Sequence, residues 1–129
     1  MRLTPFKYES PKTVAGAVSA QTRSGKYLAG GTDIFVTLKD RAAAADALVD
    51  LNGISRLKGV KRDRKTKEIR VGAMTTLTQL VENPLVGEYF PVIAQSAGLV
   101  STFQLRNMGT LGGNLCLDTR CTYYNQPSF

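Results

Sequence analysis

Histidine is absent from the 129 residues. Imidazole general bases and histidine metal sites are therefore excluded within this chain. Cysteine is scarce as well. Cys116 and Cys121 cannot build a four-thiolate zinc or iron–sulfur site unaided. Taken by spacing alone, they read as free thiols, one buried and one exposed, sooner than as a disulfide. No apolar run approaches the roughly 18–20 residues that a membrane span needs. The opening M-R-L-T-P-F-K-Y-E-S lacks the apolar core of a signal peptide. We expect no membrane partner and a cytoplasmic location. Internal repeats and low-complexity segments are also missing.

Acidic residues are few: ten against seventeen basic ones, a net charge of +7. Six of the basic residues fall within Lys58–Lys67, K-G-V-K-R-D-R-K-T-K. No aromatic residue interleaves with them to stack on bases. The run lies between apolar segments and reads as a solvated hairpin tip, so no nucleic-acid partner is expected. The rival on this evidence is a small basic, cofactor-free binding module, whose mark would be steeply salt-dependent binding.

Glycine is where the chain is rich. Gly109, Gly112 and Gly113, three of its twelve glycines, fall within five positions, and Asn114 follows. Glycine permits positive φ and lets a ligand approach the backbone. Successive amides in a tight turn make an anion-binding nest, and Thr110 and Asn114 add side-chain donors. A second glycine loop lies earlier, L-A-G-G-T-D at Leu28–Asp33, between a strand and a helix. There Thr32 or Asp33 is expected to cap the helix, whose start would offer free amides to a phosphate. The main expectation is that both loops close on one phosphate-bearing ligand.

The pattern predicts a strand at Phe6–Tyr8 and a helix opened by Ser10-Pro11, with Val14, Ala17 and Val18 inward and Gly25 as the left-handed end. A strand at Lys26–Ala29, a helix carrying Ile34, Phe35 and Leu38 inward, and a strand at Ala47–Leu51 follow. This βαβαβ order implies a small parallel sheet. Asn52-Gly53 marks a turn and a boundary near residue 53. Strands at Leu57–Val60 and Glu68–Val71 are expected around the basic tip. Thr76 with Gln79 fits a capping box, and Asn83-Pro84 and Phe90-Pro91 fit helix starts. Val92, Ile93, Ser96, Ala97 and Val100 would form one apolar face.

Three ordered segments carry a resemblance: Leu28–Asp33, V-G-A-M-T-T at Val71–Thr76, and R-N-M-G-T-L-G-G-N at Arg106–Asn114. They resemble the two FAD loops and the run beside the flavin in the FAD-binding subunits of the molybdenum hydroxylase family. The implied class is α+β, a two-subdomain FAD-binding fold. Residues 1–53 would be the βαβαβ subdomain and 54–129 the first, incomplete part of the second. The resemblance implies that Leu28, Ala29, Gly30, Gly31, Thr32, Asp33 and Ile34 hold the FAD pyrophosphate. It implies that Thr110, Gly112, Gly113 and Asn114 hold further phosphate or ribityl oxygens, with Thr75 and Thr76 near the isoalloxazine. No residue is expected to be a proton-transfer catalyst.

The stretch C-L-D-T-R-C-T-Y-Y-N-Q, Cys116–Gln126, resembles the 4-hydroxybenzoyl-CoA reductase branch. There an inserted loop carries a [4Fe-4S] cluster, and Cys121 matches its first ligand. This branch implies an oxidoreductase of anaerobic aromatic degradation, whose electrons pass from ferredoxin through the cluster and FAD toward molybdenum. It further implies a molybdenum-cofactor subunit and a [2Fe-2S] subunit as partners, and a longer subunit to complete the cluster. The chain by itself is expected to be inactive. A rival within the family is the FAD subunit of a xanthine or carbon monoxide dehydrogenase type.

Overall fold

The computed structural model describes residues 3–40 and 44–117. It begins with β1 (Lys7–Glu9), α1 (Val14–Ser19), β2 (Lys26–Leu28), α2 (Ile34–Lys39) and β3 (Ala47–Asp50). The three strands form one parallel sheet in the order β1-β3-β2. β3 lies in the middle, and all four of its residues are buried. Its alternation sorts the two faces. Val49 joins Ala17 of α1 and Ile54 on one side, while Leu48 joins Leu38 of α2 and Ala45 on the other. Ile34 and Phe35 pack against that second cluster, as their spacing with Leu38 implies.

Helix α1 starts later than expected. Its N-cap is Thr13, whose Oγ1 accepts from the Gly16 amide, and not Ser10. A Cβ on Gly53 would lie 2.9 Å from the Pro11 carbonyl oxygen, so the Pro11 segment is packed against the Asn52-Gly53 turn. Gly25 does not take positive φ; Gly31 and Gly59 are the described glycines that do.

A 3-10 turn at Ser55–Leu57 replaces the expected start of the next strand. Leu57 is drawn toward the Ala17 cluster instead. The antiparallel hairpin then comprises β4 (Val60–Arg62) and β5 (Ile69–Val71), with the basic tip exposed between them. Arg62 bridges to Tyr89, donating to its hydroxyl at 2.7 Å with the guanidinium 4.7 Å from the ring centroid.

Five short helices follow: α3 (Leu77–Val81), α4 (Pro84–Tyr89), α5 (Pro91–Leu99), α6 (Phe103–Arg106) and α7 (Leu111–Leu115). Leu77, Leu80, Val86 and Ala97 are their core, with Val60 and Val71 of the hairpin packed against it. The capping box is present in full. Gln79 N–H donates to Thr76 Oγ1 at 3.2 Å, and Thr76 N–H to Gln79 Oε1 at 3.0 Å. Thr76→Ala should lower stability by about 1 kcal/mol, measured as a shift in urea midpoint at unchanged slope.

Asn83 caps α4, with Pro84 at its first position, and Pro91 opens α5. The apolar face of α5 differs from expectation. Ala97 is buried, and Ala94 and Val100 pack beside it, whereas Val92 and Ile93 face outward. No helix among the described residues is long and apolar enough to cross a membrane.

Candidate functional site

The two glycine loops meet. A Cβ on Gly30 would overlap the carbonyl of Met108, and one on Gly113 would lie 3.9 Å from the Ala29 Cβ. Only a residue without a side chain lets the backbones approach so closely at position 30. Gly31 supplies the bend, with φ of 76°. An added Cβ there would meet the Phe35 ring at 3.0 Å, so this glycine serves the turn itself.

A third segment completes the junction. Leu77 N–H donates to the Gly109 carbonyl at 2.9 Å, Leu111 N–H to Thr75 at 2.9 Å, and Gly112 N–H to Ala73 at 2.7 Å. Thr76 and Thr110 form an antiparallel bridge. A Cβ on Gly112 would fall 2.8 Å from the Ala73 Cβ. The three segments singled out by resemblance therefore lie together, although residues 30 and 108 are distant in the chain.

The loops are not equivalent. The expected nest at Gly109–Asn114 is the opening of helix α7, and the amides of Gly109 and of Leu111 through Asn114 have acceptors inside the chain. Besides the Leu111 and Gly112 bonds, Gly113 N–H donates to Thr110 Oγ1 at 3.1 Å and Asn114 N–H to the Thr110 carbonyl at 3.0 Å. Asn114 Nδ2 also donates to that carbonyl, at 2.9 Å. The hydroxyls likewise have structural duties. Thr110 caps α7, Thr76 caps α3, and buried Thr75 donates to the Gly59 carbonyl at 3.2 Å.

In the first loop, the amides of Gly30, Gly31, Thr32 and Ile34 donate to no acceptor among the described residues. These positions are half-buried. Half-buried donors without acceptors are costly unless water or a ligand satisfies them. Asp33 occupies the N-cap position of α2 but makes no side-chain capping bond to it, contrary to the expected role. The carbonyl of Leu28 accepts from Leu51 N–H at 2.9 Å and closes the sheet beneath the loop.

Sequence reasoning missed the groups that hold this loop. Asp50, buried at the end of β3, accepts from Tyr8 Oη at 2.6 Å and from Asn52 N–H at 2.9 Å. Asn52 Nδ2 donates to Asp50 at 2.8 Å and to the Ala29 carbonyl at 3.0 Å. Asn52-Gly53 carried a turn signal, but nothing local in the sequence pairs Tyr8 with Asp50.

Burial by itself would raise the Asp50 carboxyl. The bonds from Tyr8 and Asn52, with the charge of Lys12, outweigh it and hold the carboxyl below its usual range. The same bond, followed by burial and the charge of Asp50, raises the Tyr8 phenol. Because the carboxyl is depressed in the folded state, its stabilisation is present above the ordinary carboxylate value and disappears as pH falls through the folded one. An Asp50→Asn variant should be less stable than the parent at neutral pH, and the gap should narrow in acid. Urea midpoints measured between about pH 3 and pH 7 check this.

Among the described residues no group of three or more histidine, cysteine, aspartate or glutamate side chains could hold a metal ion. Cys116 is an exposed free thiol. Cys121, the expected cluster ligand, lies outside the described residues.

Residues 4–125 match the family model described as the FAD binding domain in molybdopterin dehydrogenase. The chain belongs to this family. It is 36% identical over 113 residues to the carbon monoxide dehydrogenase medium chain of Hydrogenophaga pseudoflava, covering 85% of this chain and 39% of that protein. It is 32% identical over 111 residues to a putative xanthine dehydrogenase FAD-binding subunit of Escherichia coli strain K12, covering 84% and 38%. Among solved structures, a carbon monoxide dehydrogenase from Hydrogenophaga pseudoflava superposes with a TM-score of 0.83 at 34% identity, over 89% of this chain and 40% of that one. Quinoline 2-oxidoreductase from Pseudomonas putida 86 gives 0.81 at 28% identity, over 89% and 40%. The α+β, flavoprotein-type fold is thereby established for a chain spanning about two fifths of its relatives' length.

Proposed function

We propose that this chain is the FAD-binding portion of the flavin subunit of a molybdenum hydroxylase, an electron-transfer oxidoreductase component. The observation that carries this reading is the run of open amides at Gly30, Gly31, Thr32 and Ile34, set against the second glycine loop in a member of an FAD-binding family. Those amides suit an anionic pyrophosphate, whose charge would satisfy donors that the protein leaves open. Leu28, Ala29 and Asp33 shape that turn. Gly112, Gly113 and Asn114 contribute as framework, since their amides are already bonded. Thr110 and Thr76 accept bonds at their hydroxyl oxygens, and each keeps a hydroxyl hydrogen to give. Thr75 would act by position, its hydroxyl being spent on Gly59.

The flavin would supply the redox chemistry, and the chain would supply binding, orientation and exclusion of water. We further read residues 1–53 and 54–129 as two subdomains, with the loop junction between them. Molybdenum-cofactor and [2Fe-2S] subunits are the partners that this reading implies. A cytoplasmic location goes with it.

Two finer readings differ in their support. The names of the relatives favour carbon monoxide or xanthine dehydrogenase chemistry. The segment Cys116–Gln126 favours a 4-hydroxybenzoyl-CoA reductase-like complex that draws on ferredoxin, with Cys121 as the first of four ligands to a [4Fe-4S] cluster in a longer subunit. Iron and acid-labile sulfide in a purified subunit that continues beyond Phe129 distinguish them.

The common reading is tested by titrating FAD with the 129-residue chain. Saturable quenching of flavin fluorescence, reversed by ADP, is the expected result. Unquenched FAD at high protein concentration would remove the proposal.

A further inference from the structure

We propose that Asn52 is a positioning residue for the cofactor pyrophosphate: its side-chain amide, clamped between Asp50 and the Ala29 carbonyl, sets the direction in which the Gly30–Thr32 amides point. This rests on the FAD reading above and deepens it.

The glycine loop has few attachment points. Strand β2 ends at Leu28, and its last backbone tie to the sheet is the Leu51 amide on the Leu28 carbonyl. Among the described residues, the next backbone bond into the loop is the long one from Phe35 N–H to the Gly31 carbonyl, at 3.4 Å. Among the described residues, one side chain stands between these two ties: Asn52 holds the Ala29 carbonyl at 3.0 Å. Fixing that carbonyl fixes the plane of the Ala29–Gly30 peptide, because the six atoms of a peptide unit are coplanar. The Gly30 amide belongs to the same plane. Its direction is therefore set by Asn52, and Gly31, at φ of 76°, turns the following amides from that reference.

Asn52 is itself immobilised. One Nδ2 hydrogen goes to Ala29 and the other to Asp50 Oδ1, so both donors are used. Its own backbone amide returns to the same Asp50 oxygen at 2.9 Å. Asp50 Oδ2 is held in turn by Tyr8 Oη at 2.6 Å. The relay runs from β1 through the end of β3 to the glycine turn after β2. Every member is a hydrogen-bonding group, and none reaches the open amides directly.

A merely structural role would make binding follow stability. Asn83→Ala serves as the control: it removes the cap of α4 and leaves the Asn52–Ala29 contact alone. Asn52→Ala removes that contact. Both variants and the parent chain would be titrated with FAD and with ADP, which presents the pyrophosphate without the flavin. Urea midpoints and ¹H–¹⁵N spectra of the unliganded proteins would be recorded alongside. Asn52→Ala should weaken both ligands by about tenfold, the equivalent of one lost orienting hydrogen bond. It should also shift the Gly30, Gly31 and Thr32 amide resonances and lower their heteronuclear NOE. Asn83→Ala should lose comparable stability, as a lost helix cap does, with affinity near the parent's.

Equal affinity in the parent and Asn52→Ala, or affinity falling in step with stability in both variants, would overturn the positioning role and leave the FAD reading intact. A parent chain that binds neither ligand would overturn the FAD reading and the cofactor role with it. Unshifted loop amides in Asn52→Ala would sink the geometric claim whatever the ligand does.

Discussion

Gly30→Ala should cost this chain about 2–3 kcal/mol, the upper part of the range for forcing extra volume into a packed site. The added carbon would overlap a backbone carbonyl, that of Met108, with the Met108 carbon and the Gly109 nitrogen close behind. Backbone atoms cannot rotate away as the end of a flexible side chain can. The two loops must separate, or one must rebuild. In a thermal melt the midpoint should fall by roughly 10 °C, at about 4 °C per kcal/mol for a domain of this size. FAD should lose affinity as well, because the open amides of the first loop would no longer sit beside Gly113. Gly31→Ala is a useful comparison: it is strained by φ of 76° and by the Phe35 ring, but it leaves the Met108 contact alone. A Gly30→Ala protein with the parent's melting point would show that the loops do not meet in solution.

Leu80→Ala is expected to be at least as damaging, at about 3 kcal/mol and within the usual span of about 2–5 for a leucine truncated in a core. Leu80 is 1% exposed and shares its cluster with Leu77, Val86 and Ala97. That cluster joins α3, α4 and α5 to the hairpin, so the void would open where four elements converge. The consequence reaches the site. The α3 cap residue Thr76 pairs with Thr110, and Leu77 N–H holds the Gly109 carbonyl. Urea unfolding should show a lower midpoint at an unchanged slope. Leu85→Ala, at a half-buried position outside that cluster, should cost clearly less. Equal losses in the two variants would contradict the core assignment.

Local signals were legible where both partners lie within one turn of each other. The Thr76–Gln79 box spans three residues, and Asn83-Pro84 announces its helix in the same way; both stand where the pattern puts them. Periodicity gave the parallel sheet and the inward side of α2, because strand and helix repeats are properties of the chain itself. It failed where a distant segment decides. Ser10-Pro11 has the chemistry of a helix start, yet the Gly53 turn packs on Pro11 and the cap moves to Thr13. On α5, Val92 and Ile93 look as suitable for burial as Ala94 and Ala97, and the positions of α3 and α4 separate them.

The candidate site shows the same division. Its glycines could be picked out by composition, and their proximity by resemblance. What each glycine does could not be read in advance. Gly112 and Gly113 looked like a turn offering free amides, and they are the first turn of a capped helix whose amides are taken. Gly30 looked like a place for phosphate to approach, and the close neighbour is Met108. Met108 and Ala73, which decide the roles of Gly30 and Gly112, lie tens of residues away and are not marked by residue type, whereas the partner of Gly113, Thr110, is local.

The meeting of Gly30 with Met108 also has a consequence for synthesis. A chain leaving the ribosome can pair β1, β3 and β2 once Asp50 has emerged, since N-terminal units fold first. The Gly30–Gly31 turn then waits, half-built, until Met108 and Gly109 follow and lay a second backbone against it. Any cofactor capture on the ribosome is thus confined to the closing stage of translating this stretch.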